Sequence, residues 1–144
     1  MNEPRFIEIE DLKPDYLEAI NRLISQLSTS SHTLTEAELN RLIASPQSHL
    51  YALEYDEKII GMVTLCIYQC PTGRKAWIED VVVDQNYRGK GYGKVMIDKV
   101  IALCRNKGNM TLMLTSRPSR IVANQLYQSL GFEKRETNVY KMKF

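Results

Sequence analysis

Apolar side chains recur along this chain at two spacings, and each spacing predicts an element. Arg5–Ile9 alternates weakly and reads as a short first strand. Pro14 stands where a first helical turn tolerates proline, and Leu17, Ile20, Leu23, Ile24 and Leu27 follow at helical spacing. Ser28–Thr33 is a polar connector. Thr35-Glu-Ala-Glu38 reads as a capping box, in which a threonine hydroxyl and a later glutamate satisfy orphan backbone donors. It opens a short helix through Leu39, Leu42 and Ile43 that stops near Ser45-Pro46.

Strands take over from there. Leu50–Glu54 and Ile59–Tyr68, joined by a turn at Asp56-Glu57, predict an antiparallel hairpin. Pro71-Thr-Gly73 turns the chain into a further strand, Ala76–Val83. Gly91–Lys107 predicts a helix with Ile97, Val100, Ile101 and Cys104 on one stripe and Gly108 at its C′ position. Met110–Thr115 alternates as a strand, and Ile121–Leu130 reads as a helix ending at Gly131. Phe132–Phe144 reads as one or two strands with a turn near Glu136–Asn138. The order predicts one α+β domain over residues 1–144 with a mixed sheet.

Composition narrows the class. With 144 residues, 44% of them hydrophobic and 25% charged, the chain can bury a core without disulfide or metal staples. Its longest uncharged apolar run, Ile59–Cys70, is too short to span a bilayer. Met1-Asn-Glu-Pro4 carries acid where a signal peptide needs base. Together these predict a cytoplasmic protein without a membrane partner. Cys66, Cys70 and Cys104 lack the paired spacing of zinc or redox sites, and they read as small buried hydrophobes in a reducing compartment. His32 and His49 are isolated, so no metal site is expected.

The net charge of +2 says little, but its distribution says more. Residues 1–60 hold five bases against eleven acids, whereas residues 61–144 hold fourteen bases against six acids. Arg88, Lys90, Lys94, Lys99, Arg105 and Lys107 face only Asp98 in one segment. A solvated helix face, a nucleic acid or a small polyanion would each fit such a run. Nucleic acid is disfavoured, because aromatics are not interleaved and no helix-turn-helix or zinc pattern accompanies the charges.

Tyr87-Arg-Gly-Lys-Gly-Tyr-Gly-Lys94 carries the most chemistry. It follows the apolar strand Val81-Val-Val83 and opens the long helix. Alternate glycines let the backbone turn tightly and approach a ligand. The first N–H groups of a helix have no intrahelical partner and can donate to phosphate oxygens. Arg88, Lys90 and Lys94 add positive charge at the same place. The Walker pattern fails because Val95 follows Lys94, and the dinucleotide fingerprint fails because Lys94 occupies its third glycine position. A pyrophosphate cradle and a tight turn without a ligand both remain open on these residues alone.

Two motifs add a resemblance. Arg88-Gly-Lys-Gly-Tyr-Gly93 is similar to the Arg/Gln-x-x-Gly-x-Gly/Ala signature of the GCN5-related N-acetyltransferases. Ala123-x-x-Leu126-Tyr127-x-x-x-Gly131-Phe132 resembles their later helix motif. The element order resembles that family across nearly the whole chain. Glu79-Asp-Val-Val-Val-Asp84 also looks like the corresponding strand of glucosamine-phosphate acetyltransferases. The resemblance implies a central, mixed, mostly antiparallel twisted sheet flanked by about four helices, with acetyl-CoA as acyl donor. It implies that backbone groups of Arg88, Gly89, Lys90, Gly91, Tyr92, Gly93 and Lys94 hold the pyrophosphate. Val81, Val82 and Val83 would pair with the pantetheine arm as an added strand does.

The chemistry implied is attack of a neutral primary amine on the thioester, in a ternary complex and without a cysteine carrier. A lysine-like amine has a pKa of about 10.4, so a base helps, and the leaving thiolate gains from an acid. Tyr127 stands at the family's acid position, against the plainer reading of a packing residue. Glu79 is the candidate base, with substrate orientation and a structural ion pair as its competing roles. Strand alternation predicts that Glu79 shares a face with Trp77, Val81 and Val83. Arg120 stands where the family commonly carries an asparagine that touches the cofactor arm, and Asn124 is a candidate to replace it. The acceptor would be a small-molecule or peptide amine held by the first two helices, the connector Ser28–Leu34 and the chain after Phe132. The acidic first half predicts a cationic one. A homodimer built through the final strands is compatible with the family. The competing class is a non-catalytic acyl-CoA sensor that keeps the cradle without the chemistry.

Overall fold

The predicted alternation is realised in a computed structural model that describes residues 3–27 and 32–144. The elements are β1 (Arg5–Glu8), α1 (Pro14–Ile24), α2 (Glu36–Ala44), β2 (Ser48–Tyr55), β3 (Lys58–Cys70), β4 (Gly73–Val83), α3 (Tyr92–Lys107), β5 (Thr111–Met113) and α4 (Ile121–Ser129). A single 3-10 turn, Gln85–Tyr87, lies between β4 and α3. Of the expected connector between α1 and α2, Ser28–Ser31 lies outside the described residues.

Local signals account for several boundaries. Pro14 opens α1 as expected. At α2 the Glu38 N–H donates to Thr35 Oγ1 at 3.1 Å, and the Thr35 N–H donates back to Glu38 Oε1 at 3.1 Å. The β2–β3 hairpin closes on Asp56 and Glu57, at φ 48° and 63°. Positive φ at both central residues matches the right-handed twist of the strands and keeps the hairpin to two residues.

The five strands run in the order β1-β2-β3-β4-β5. All neighbours are antiparallel except β4 and β5, which are parallel. Each face buries one cluster. Helices α1 and α2 set Ala19, Ile20, Leu23 and Leu39 against Leu50, Ala52, Met62 and Val82. Helix α3 sets Met96, Ile97, Val100 and Cys104 against Leu53, Ile60, Val63, Leu65, Ala76 and Ile78. Each fully buried aliphatic side chain of this kind contributes roughly 1.5–3 kcal/mol. No helix among the described residues is long and apolar enough to cross a membrane.

Three expectations change. Phe132–Phe144 holds no strand. A strand exists only as one member of a ladder, and β5 offers the tail three residues. The tail instead leaves Val139, Tyr140, Met142 and Phe144 exposed. Second, only Cys104 is buried; Cys66 and Cys70 are half-buried. Cys70 ends β3 at the turn, where its Sγ lies 3.4 Å from Thr72 Oγ1. That hydroxyl contact holds the thiol below its ordinary pKa.

The third change concerns β4. Asp80 adopts φ 50°, and the β3–β4 register shifts so that Glu79 faces Thr64 while Val82 faces Met62. This is a β-bulge, and it switches the faces of the residues beyond it. Ala76 and Ile78 belong to the α3-side cluster, and Val81 and Val83 also pack against it, while Val82 turns to the α1–α2 side. Glu79 therefore shares a face with Trp77 but not with Val81 and Val83.

Candidate active site

The parallel pairing of β4 with β5 stops early, and the site begins there. The ladder covers only Lys75–Thr111, Ala76–Leu112 and Trp77–Met113. Beyond it, Ile78–Val83 keeps β3 on one side and has no paired strand on the other. Such an edge offers backbone donors and acceptors to an extended ligand.

The glycine turn caps this open edge. Gly89 and Gly91 adopt φ 78° and 83°, the left-handed region that an L side chain enters only at a cost. A Cβ added at either would meet nothing within 4 Å, so the space over the turn is open. Gly91 is the N-cap of α3 and has no side chain to satisfy the helix. The Val95 N–H closes the first α-helical bond, to the Gly91 carbonyl at 3.1 Å. The N–H groups of Tyr92, Gly93 and Lys94 thus lack intrahelical acceptors, and no acid occupies the first turn. Unsatisfied donors at the positive end of a sixteen-residue helix are an arrangement that can receive an anion.

The cations around the turn are spent differently from the sequence expectation. Arg88 folds back, its Nε donating to the Val83 carbonyl at 2.9 Å. Lys94 pairs with Asp98 at 2.8 Å, and Lys90 lies over the Tyr87 ring at 5.7 Å. Arg105 and Lys107 sit in the last turn of α3, where cations complement the helix dipole. At this turn the free donors are backbone N–H groups, while the side chains of Arg88, Lys90 and Lys94 are engaged with their neighbours.

Sequence reasoning missed the residues that hold this turn from behind. Asp84, 1% exposed, follows the last residue of β4 and caps the 3-10 turn. Its Oδ1 accepts from the Asn86 N–H at 3.0 Å and its Oδ2 from Arg22 Nε at 3.2 Å. Burial alone would raise its pKa, but the Asn86 N–H and the Arg22 guanidinium outweigh it and hold the carboxyl below its ordinary range. An aspartate two residues before an asparagine, at the end of an apolar strand, is a local capping signal. Its Arg22 partner lies too far away in sequence to be read.

Tyr127 stands on α4 where the strands diverge. It is buried, its ring edge-on to Phe132 at a centroid distance of 6.0 Å. Its hydroxyl has no hydrogen-bond partner among the described residues, yet no buried side-chain polar atom there is left unsatisfied. The hydroxyl oxygen therefore keeps some access to solvent. Burial raises its pKa, against a smaller opposing effect from Arg120, so the phenol stays protonated at neutral pH. With Trp77, Leu114, Ser116 and Asn124 it lines a cavity of about 660 Å³.

The remaining candidates divide. Glu79 is exposed; partial burial first, and then the Asp80 charge, raise its pKa. Asn124 spends its amide donor on the carbonyls of Arg117, at 2.8 Å, and Arg120, at 2.7 Å, leaving its Oδ1 for a ligand. Among the described residues no cluster of His, Cys, Asp or Glu is arranged to hold a metal.

An open strand edge, a helix-opening turn with free backbone donors and a phenol without a side-chain partner are the features the candidate site combines. Comparison with known proteins gives the family. Residues 10–132 match the acetyltransferase (GNAT) family. Glucosamine 6-phosphate N-acetyltransferase of Trypanosoma brucei brucei is 31% identical over 137 residues, 93% of this chain and 90% of that protein. Human N-acetyltransferase 8B is 32% identical over 89 residues, and the match spans 60% of this chain but 39% of that longer protein. The fold is shared with an aminoglycoside N-acetyltransferase, AAC(6')-Iy, solved in complex with CoA; the TM-score is 0.78 at 20% identity, over 99% of this chain and 96% of that one. The chain belongs to the GNAT acetyltransferase family.

Proposed function

We propose that this protein is an acetyl-CoA-dependent N-acetyltransferase that acetylates a primary amine by direct attack. The observation that carries the reading is the open β4 edge leading from the glycine turn to Tyr127, a path suited to a pyrophosphate at one end and a thioester at the other. Backbone N–H groups from Arg88 to Lys94 hold the pyrophosphate, and Val81–Val83 pair with the pantetheine arm. The amine lone pair forms the C–N bond as the C–S bond breaks. Tyr127 gives its proton to the departing sulfur, and the amine proton leaves to Glu79, directly or through water.

A glucosamine 6-phosphate acceptor is supported by the relative that matches this chain almost end to end. The cationic acceptor expected from the acidic first half has less support, since Glu54, Glu8 and Glu38 are occupied by Arg5, His49 and His32. Incubation with acetyl-CoA and glucosamine 6-phosphate, spermidine or an aminoglycoside, read by mass spectrometry, tests both. Acetylation of glucosamine 6-phosphate is expected; failure with every amine despite CoA binding would favour a sensor role.

Glu79 should appear in the pH profile. A base must be ionised, so kcat/KM falls as pH drops through its raised pKa. Glu79→Gln should lower kcat/KM roughly 10²-fold and erase that inflection. An unchanged profile would remove Glu79 from the mechanism.

The homodimer reading rests on the tail. Tyr140, Met142 and Phe144 alternate with Lys141 and Lys143, and β5 is the last strand of the sheet. We assign this tail to the β5 edge of a second copy. Light scattering should give a dimer that Met142→Asp weakens; a monomer at high micromolar concentration would contradict it.

A further inference from the structure

The glycines that make the turn useful also make it loose, because glycine populates both signs of φ readily. A cradle that binds through backbone donors needs those donors fixed before the ligand arrives, or ordering them costs affinity. Helix α3 fixes the outgoing side. The incoming side is fixed by α1.

The contacts run along one helical turn and its extension. Arg22 reaches across to Asp84 through Nε, at 3.2 Å, and to the Ile59 carbonyl through Nη2, at 2.7 Å. Asp84 in turn starts the 3-10 turn: its carboxylate takes the Asn86 N–H and its carbonyl takes the Tyr87 N–H, at 3.0 and 2.8 Å. Gln26 Oε1 accepts the Gln85 N–H at 2.8 Å and also faces Arg88 Nη2 at 3.5 Å. Every backbone donor from Gln85 to Tyr87 is therefore satisfied by Asp84 or Gln26, and Arg88 is folded back beside them. The same turn of α1 grips the approach to α2, since Asn21 exchanges hydrogen bonds with the Leu34 backbone at 2.7 and 3.0 Å.

We infer that Arg22, Gln26 and Asp84 form a bracket that positions the glycine turn from α1. They are positioning residues for donor binding. Gln26 reaches the Arg88 guanidinium, but none of the three is among the residues assigned to the donor, and they act by holding the chain that enters its path. The inference rests on the donor-binding reading of the turn.

The test uses the whole chain, with coenzyme A as probe, and two independent readouts. Arg22→Met keeps the aliphatic stem and removes the donors; Arg22→Lys restores one cation. Gln26→Ala changes a half-buried side chain and guards against a failure of Arg22→Met to fold. In ligand-free protein, Arg22→Met should speed amide hydrogen exchange across Asn86–Gly93 while leaving Met96–Cys104 at the wild-type rate. By calorimetry the Kd for coenzyme A should rise about tenfold in Arg22→Met and about threefold in Gln26→Ala, with partial recovery in Arg22→Lys. At saturating acetyl-CoA, kcat should stay within about twofold, so the loss falls in KM.

A Kd within about twofold of wild type in both folded variants would overturn the bracket. So would faster exchange spread evenly over the sheet, which would make Arg22 a residue of general stability. If the wild type itself fails to bind coenzyme A, the donor reading falls first, and the exchange data separate that failure from a failure of the bracket.

Discussion

Replacing Gly91 by glutamate should abolish coenzyme A binding while leaving the chain folded. The variant combines two separable effects. A side chain at φ 83° costs about 1–2 kcal/mol. The new carboxylate stands at the N-terminus of α3, where it can take the donors of Tyr92, Gly93 and Lys94 and repel a pyrophosphate. Because a Cβ at Gly91 meets open space, the side chain has room to fill the cradle. Gly91→Ala carries the strain without the charge and separates the two. We expect the Kd to rise about tenfold in Gly91→Ala and beyond calorimetric range, at least roughly 10²-fold, in Gly91→Glu. Equal affinity in the wild type and Gly91→Glu would remove the anion from this turn.

Tyr127→Phe should reduce kcat by roughly 10²-fold or more, the usual contribution of a positioned acid, with donor affinity within about twofold of wild type. Phenylalanine keeps the ring that meets Phe132 edge-on, so packing survives and the proton is lost. The pH dependence has a definite sign. An acid donor must be protonated, and burial raises the tyrosine pKa, so donation persists through neutral pH and fails only above the ordinary tyrosine range. In Tyr127→Phe that basic limb should vanish. A kcat within about twofold of wild type would reduce Tyr127 to a packing residue.

What the sequence discloses here is local. The capping box at Thr35, the proline opening α1 and the glycines opening α3 are each set by backbone groups within a turn of the residue concerned, so their meaning travels with the residues. The bulge at Asp80 is different. It arises from a mismatch of register between β3 and β4, and alternation counted along one strand carries Glu79 to the face of Val81 when the bulge separates them. The bracket behind the turn joins residues 62 apart, a tertiary contact that no spacing rule reaches. The tail failed as a strand for a related reason. Its alternation is real, but the edge beside it, β5, is only three residues long, too short to hold a ladder over the tail.

The site candidates follow the same division. Gly89, Gly91 and Tyr127 lie where their motifs placed them. Arg88 and Asn124 proved to serve the scaffold as well, because side-chain N–H donors take the nearest carbonyl that local geometry leaves free.

The central claim is that the turn from Arg88 to Lys94 and the open edge of β4 hold an acyl-CoA. Calorimetric titration of the wild-type chain with acetyl-CoA measures it directly. A single site per chain with a Kd of about 1 μM, near −8 kcal/mol, is the expected result. No detectable binding up to millimolar donor would contradict the account, whatever the fold.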